Sequence, residues 1–131
     1  MFKSLREESK LFDHPEDEAI HLALAAVLYN IISADNSESS KELEKFSLIL
    51  QQEFDLDEKQ VDHLYQSVKA STSGISADLE TINRYLKDNP MIRMKFMDKL
   101  NQLVGIDGTL DVELNIFNEA LHVIFPDIKR V

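Results

Sequence analysis

The feature that most constrains this chain is the run from Ala19 to Ile32, in which only His21 and Asn30 interrupt a series of Ala, Leu, Val, Ile and Tyr residues. A helix that is apolar nearly all round has to be surrounded, either by other protein elements or by lipid. This run is shorter than the roughly 20 residues that a bilayer span needs. It is therefore expected to form the central, buried helix of a globular domain. The start is placed at His14–Pro15, with Pro at the first helical position and Glu16, Asp17 and Glu18 facing the positive end of the helix dipole.

The rest of the chain repeats apolar residues at helical spacing, and no segment shows the strict alternation of a half-buried strand. Ser39 with Glu42 three residues later forms a capping box for a second helix carrying Leu43, Phe46, Ile49, Leu50 and Phe54. Asp57 opens a third with Val61, Leu64, Tyr65 and Val68 on one face, and Ser71–Gly74 breaks it. Leu79, Ile82 and Leu86 mark a fourth. Asn89–Pro90 is an N-cap and first-turn proline for a fifth, which holds Met91, Met94, Phe96, Met97, Leu100, Leu103 and Val104. A sixth carries Leu114, Phe117, Leu121 and Ile124 and stops near Pro126. Residues 1–13 form an amphipathic N-terminal arm, with Phe2, Leu5, Leu11 and Phe12, ahead of a helical core over 14–131. The chain has only three Gly and three Pro, which leaves little room for long irregular loops. An all-α single domain of six to seven helices is the expected fold.

Two parts of this pattern repeat. Leu24, Leu28, Ile31, Ile32 and Asp35 match Phe96, Leu100, Leu103, Val104 and Asp107 at a shift of 72 positions. Glu42, Phe46, Leu50 and Phe54 match Glu113, Phe117, Leu121 and Phe125 at a shift of 71. Amphipathic helices align by period alone, so the Asp and Glu that flank both loops are the informative part. They imply two helical hairpins packed about a pseudo-twofold axis, with their acidic loops near one another.

Each loop places an Asp after one helix and a Glu in the first turn of the next: Asp35 and Glu42, then Asp107 and Glu113. Asn36 and Gly108 follow the two Asp residues, and both types tolerate the left-handed backbone of a helix C-cap. A carboxylate at the negative end of a helix is electrostatically misplaced, and repeating it suggests a compensating cation. Four carboxylates suit a hard divalent ion, Ca²⁺ or Mg²⁺, and neither loop contains the His or Cys that a softer metal prefers. Neither loop has EF-hand spacing. The opposing reading is that these are ordinary turn and cap residues, with Glu42 capping Ser39 and Asp111 opening the sixth helix.

Charge narrows the partners. The chain carries 24 acidic and 14 basic residues, net −10, and 15 of the acids but only 6 of the bases lie in residues 1–65. That balance argues against nucleic acid and anionic membrane surfaces, which require clustered Lys and Arg. It suits cations and basic protein partners. With no cysteine, disulfides, thiolate metal sites and Cys nucleophiles are excluded. The first residues lack the apolar run of a signal peptide, so a cytoplasmic protein is expected, and the Phe2/Leu5 arm makes homo-oligomerisation plausible.

The segment Asp107-Gly108-Thr109-Leu110-Asp111-Val112-Glu113, an Asp-Gly pair and a short gap before a Glu that opens an amphipathic helix, resembles the loop of the tellurite-resistance TerB family of bacterial proteins. The resemblance covers about residues 15–126. The first loop departs from it, with Asn36 in place of Gly and polar Glu38 where an apolar residue is usual. The resemblance implies an all-helical fold, acidic residues proposed to bind a divalent metal, and an association with stress and tellurite responses. On that basis Asp35, Glu42, Asp107 and Glu113 are the candidate metal ligands.

Other constellations carry less. Glu18/His21 and Glu119/His122 are E-x-x-H pairs, the half-motif of di-iron carboxylate enzymes, but Glu119 and His122 lie off the apolar stripe. Met91, Met94 and Met97 are expected as core filler rather than thioether ligands, and Arg93, Lys95 and Lys99 as a solvated face. His14 and His63 stand alone. No phosphate loop, nucleophile elbow or Ser/His/Asp set is present, so no catalytic residue and no organic cofactor is expected. The sequence thus points to a non-enzymatic sensor or interaction module binding a divalent cation. A structural or scaffolding domain whose loops are only caps is the main alternative, and a di-iron enzyme a distant one.

Overall fold

The structure is a computed structural model that describes residues 11–33, 40–71, 75–104 and 111–126, and of residues 111–113 the backbone alone. Six helices follow one another: α1 Glu18–Ile32, α2 Ser40–Phe54, α3 Glu58–Ala70, α4 Ser76–Tyr85, α5 Pro90–Leu103 and α6 Asp111–Ile124. Among the described residues there is no strand, only one isolated antiparallel bridge between Phe12 and Leu86.

α1 packs against all five other helices. Ile20, Ala23, Leu24, Ala25, Val27, Leu28, Ile31 and Ile32 are all buried, which accounts for a segment apolar on every side. The hairpin α1–α2 packs against the hairpin α5–α6. α1 packs on α5, α2 packs on α5, and α6 packs on α1. The segments that lead into α1 and α5 pair with each other. Asp13 N–H donates to the Tyr85 carbonyl at 2.8 Å and Lys87 N–H to the Leu11 carbonyl at 3.0 Å. The one-residue difference between the repeats is absorbed at the end of α5, which stops at Leu103, whereas the equivalent of Ile32 is Val104.

Local signals set most boundaries. Asp57 and Gln60 close a reciprocal capping box at α3, with Gln60 N–H to Asp57 Oδ1 at 2.8 Å and Asp57 N–H to Gln60 Oε1 at 3.0 Å. Asn89 Oδ1 accepts from Met91 N–H at 2.8 Å, and Pro90 occupies the first turn of α5. α2 ends at Asp55, which holds φ 58, a left-handed stop made by Asp instead of Gly.

Two sequence expectations are corrected. α1 begins at Glu18, not at His14–Pro15. Asp17 is extended, and His21 Nε2 lies 2.6 Å from the Pro15 carbonyl oxygen, so residues 11–17 form a strap rather than a first helical turn. The strap docks: Leu11 and Phe12 are buried, and Phe12 stacks on Phe54 and meets Phe96 edge-on. Second, Met91 and Met94 are 68% and 64% exposed, and of the three only Met97 enters the core. α5 turns Phe96, Leu100 and Leu103 inward, and Met91 and Met94 fall on the opposite side of the helix.

Candidate functional site

The frames of both acidic loops are those the repeat predicts. α1 and α5 close before residues 34 and 105, and α2 and α6 open at Ser40 and Asp111, so Glu42 and Glu113 are each the third residue of their helix. A carboxylate in a first turn faces free backbone N–H groups and the positive end of the dipole. Asp35 and Asp107 lie outside the described residues, as does Ser39, the expected capping partner of Glu42. The position of Glu113 in α6 is described, but its side chain is not.

Glu42 is the one candidate whose side chain is described, and it is only 1% exposed. An N-capping glutamate at a helix surface stays wet, whereas this one begins the inward stripe of α2. The stripe continues through Phe46, Ile49 and Leu50 to Glu53 and Phe54. Glu42 and Glu53 are eleven positions apart, three turns, so they share a face about 16 Å apart. Two acids therefore bracket the apolar seam of a single helix.

Glu53 was not singled out by sequence reasoning, although its spacing from Phe46 and Leu50 puts it on the buried stripe. Its side chain is fully buried, and neither carboxylate oxygen has a hydrogen-bond partner among the described residues. Lys99 Nζ, 22% exposed, lies 3.8 Å from Oε2, close enough for ion pairing but beyond hydrogen-bond reach. Burial pushes the Glu53 carboxyl up to about 7, against the opposing pull of Lys99, the Leu11 backbone N–H and Lys95. Lys99 is thus part of an interior pair, not of a solvated face. Arg93 also turns inward, donating to Asn83 Oδ1 and, at 3.4 Å, to the Ile124 carbonyl, so that α5 is tied to α4 and α6.

The E-x-x-H pairs are otherwise occupied. His21 Nε2 is at the Pro15 carbonyl oxygen and its ring lies 4.4 Å from that of Phe54, while Glu119 accepts from the Ser76 hydroxyl at 3.1 Å. Among the described residues no three His, Asp or Glu side chains come together. His14 and Glu16 form an exposed pair at 3.6 Å. Among the described residues, no helix is long and apolar enough to cross a membrane.

A family model described as "Tellurite resistance protein TerB" matches residues 21–122, which runs from the first turn of α1 to the last turn of α6. Neither a curated protein nor a solved structure gave a significant match.

Proposed function

The chain belongs to the TerB family, and from that premise we propose that it is a non-enzymatic module that binds a divalent cation between its two acidic loops. Asp35, Glu42, Asp107 and Glu113 supply the oxygen ligands, and a set of carboxylates with no sulfur or imidazole selects a hard ion, Ca²⁺ or Mg²⁺. The observation that carries this reading is the burial of Glu42 at the opening of α2. That burial places a carboxylate withdrawn from water at the opening of the helix that follows one acidic loop, where an oxygen ligand would be needed.

The packing of the two hairpins on each other gives such binding a consequence. A cation shared by the loops would fix the angle between α1–α2 and α5–α6 and so alter the surface offered to a protein partner. A role in a stress response of the tellurite type is the context that the family name suggests, and cytoplasmic location is part of the same proposal.

Thermal unfolding tests it, in excess EDTA and in millimolar Ca²⁺, Mg²⁺ or Mn²⁺, for the wild type and for Asp107→Ala/Glu113→Ala. A ligand that binds only the folded state adds about 2.7 kcal/mol at a hundredfold excess over its dissociation constant. The proposal expects a metal-specific rise that the double variant loses. No rise, or the same rise in both proteins, leaves the loops as helix caps.

A further inference from the structure

Residues 11–17 cross the ends of α2, α4 and α5, and the features beneath this strap are unlike the rest of the core. The strap is held by the paired hydrogen bonds Asp13 N–H to Tyr85 O and Lys87 N–H to Leu11 O, by Tyr85 to Asp17, and by the buried side chains of Leu11 and Phe12. Next to Leu11 lies Glu53, whose oxygens are buried with no hydrogen-bond partner among the described residues. The only cation in contact is Lys99, at 3.8 Å among the described groups.

The internal repeat shows that the fold does not require an ionisable pair here. By the same shifts that align the hairpins, Glu53 corresponds to Ile124 on α6 and Lys99 to Val27 on α1. Ile124 and Val27 are both buried, and α6 packs on α1 as α2 packs on α5. One interface is closed by two aliphatic side chains. Its counterpart, under the strap, holds an acid and a base.

We infer that Glu53 and Lys99 form a proton-operated latch beneath the 11–17 strap, closed while the Glu53 carboxyl carries a proton and loosened when it ionises. A neutral carboxyl sits in this apolar junction at modest cost, whereas a carboxylate needs donors; among the described residues none meets hydrogen-bond geometry, and the opposing pull of Lys99 and of the Leu11 amide is outweighed by burial. Of the elements around it, the strap is the one whose lifting admits water without dismantling the helix packing. α5 presents Lys99 and Lys95 to Glu53, and the strap presents the Leu11 amide. α1 presents His21, engaged with the Pro15 carbonyl and the Phe54 ring. α3 turns Val61, Leu64 and Val68 inward and leaves Lys59, Asp62 and His63 exposed. On α2 itself the neighbouring acid Asp55 is exposed. Lifting the strap uncovers the rings of Phe54 and Phe96, which Phe12 covers, so the latch gates an aromatic surface. The charge state behind this gate changes close to neutrality, since burial raises the Glu53 carboxyl from 4.5 to about 7.

Backbone amide hydrogen exchange at Asp13 and Lys87, corrected for intrinsic rates and measured from pH 4 to pH 8, tests the latch on the full chain. In the wild type, protection at these two amides falls as pH rises from 4.5 to about 7, by up to roughly 300-fold, while protection of the α1 amides does not follow it. Glu53→Gln cannot ionise and gives a flat profile. Lys99→Met removes the ammonium that favours the carboxylate in the closed state, so the fall extends to higher pH, an extension that a merely structural role for Lys99 would not produce. Should Glu53→Gln lose its helical circular dichroism, Glu53→Ile, which copies the residue of the equivalent interface, is measured in its place with the same expectation. A wild-type profile that the non-ionising variant reproduces, or strap protection that simply tracks α1, overturns the inference.

Discussion

The phenol of Tyr85 donates a 2.9 Å hydrogen bond to the carboxylate of Asp17, a residue 68 positions earlier in the chain. Asp17 stands at the N-cap of α1, yet its side chain caps nothing, because it is committed to the strap's closure against α4. Tertiary structure has here taken a residue of good capping type away from its helix. The bond also raises the Tyr85 phenol above its ordinary value, since the donated proton is held by a carboxylate.

This arrangement predicts unequal effects of removing the two partners. Tyr85→Phe frees Asp17 to cap α1, so the cap gained offsets part of the charge-assisted hydrogen bond lost. Asp17→Ala loses the same hydrogen bond with no cap to offset it. Urea unfolding at pH 7 should therefore show a smaller loss of stability for Tyr85→Phe than for Asp17→Ala. Equal losses would mean that Asp17 does not turn to the helix.

Glu53 makes stability depend on pH in the direction opposite to an ordinary salt-bridged acid. Its carboxyl is raised from 4.5 to about 7 on folding, so the folded state binds the proton more tightly than the unfolded chain. The resulting stabilisation is complete below pH 4.5 and is lost as pH rises to about 7, with a total of up to about 3 kcal/mol. The unfolding free energy of the wild type minus that of Glu53→Gln is expected to decline across this window and to be level above it. A difference that grows with pH would contradict the buried setting described for this side chain, in which burial outweighs the pull of Lys99.

The burial pattern of α1 and α5 separates two apolar residues that look alike in sequence. Leu28 is fully buried at the centre of α1, whereas Met94 is 64% exposed on α5. Leu28→Ala should lower stability by about 2–5 kcal/mol, and Met94→Ala should change it by less than about 0.5 kcal/mol, both read from chemical unfolding. A large loss at Met94 would restore it to the core.

What was legible in the sequence is what local physics decides. The central helix follows from a run with no polar face, the third helix from Asp57, and the fifth from Asn89–Pro90, because caps act within one turn. The pairing of hairpins follows from the repeat, since similar apolar stripes bury in similar ways. Tertiary choices were less visible. Nothing local distinguishes Met97, which is buried, from Met91 and Met94, which are not. The basic residues of α5 looked like a solvated face, but Arg93 reaches Asn83 and Lys99 reaches Glu53, contacts made across the fold. Glu53 escaped notice because a charged residue on an apolar stripe is easily counted as an interruption of the pattern rather than part of it. Of the four candidate ligands, the burial of Glu42 adds something that spacing could not supply, while Asp35 and Asp107 lie outside the described residues and the Glu113 side chain is not described.

The central claim is that the two acidic loops share a divalent cation. The most direct measurement is a titration of the isotopically labelled protein with Mn²⁺ at sub-stoichiometric ratios, following paramagnetic broadening of backbone amide signals. The account predicts that residues 34–42 and 105–113 broaden first and together, and that excess Ca²⁺ or Mg²⁺ restores them. Broadening confined to one loop, spread evenly over the acidic surface, or centred elsewhere would contradict it.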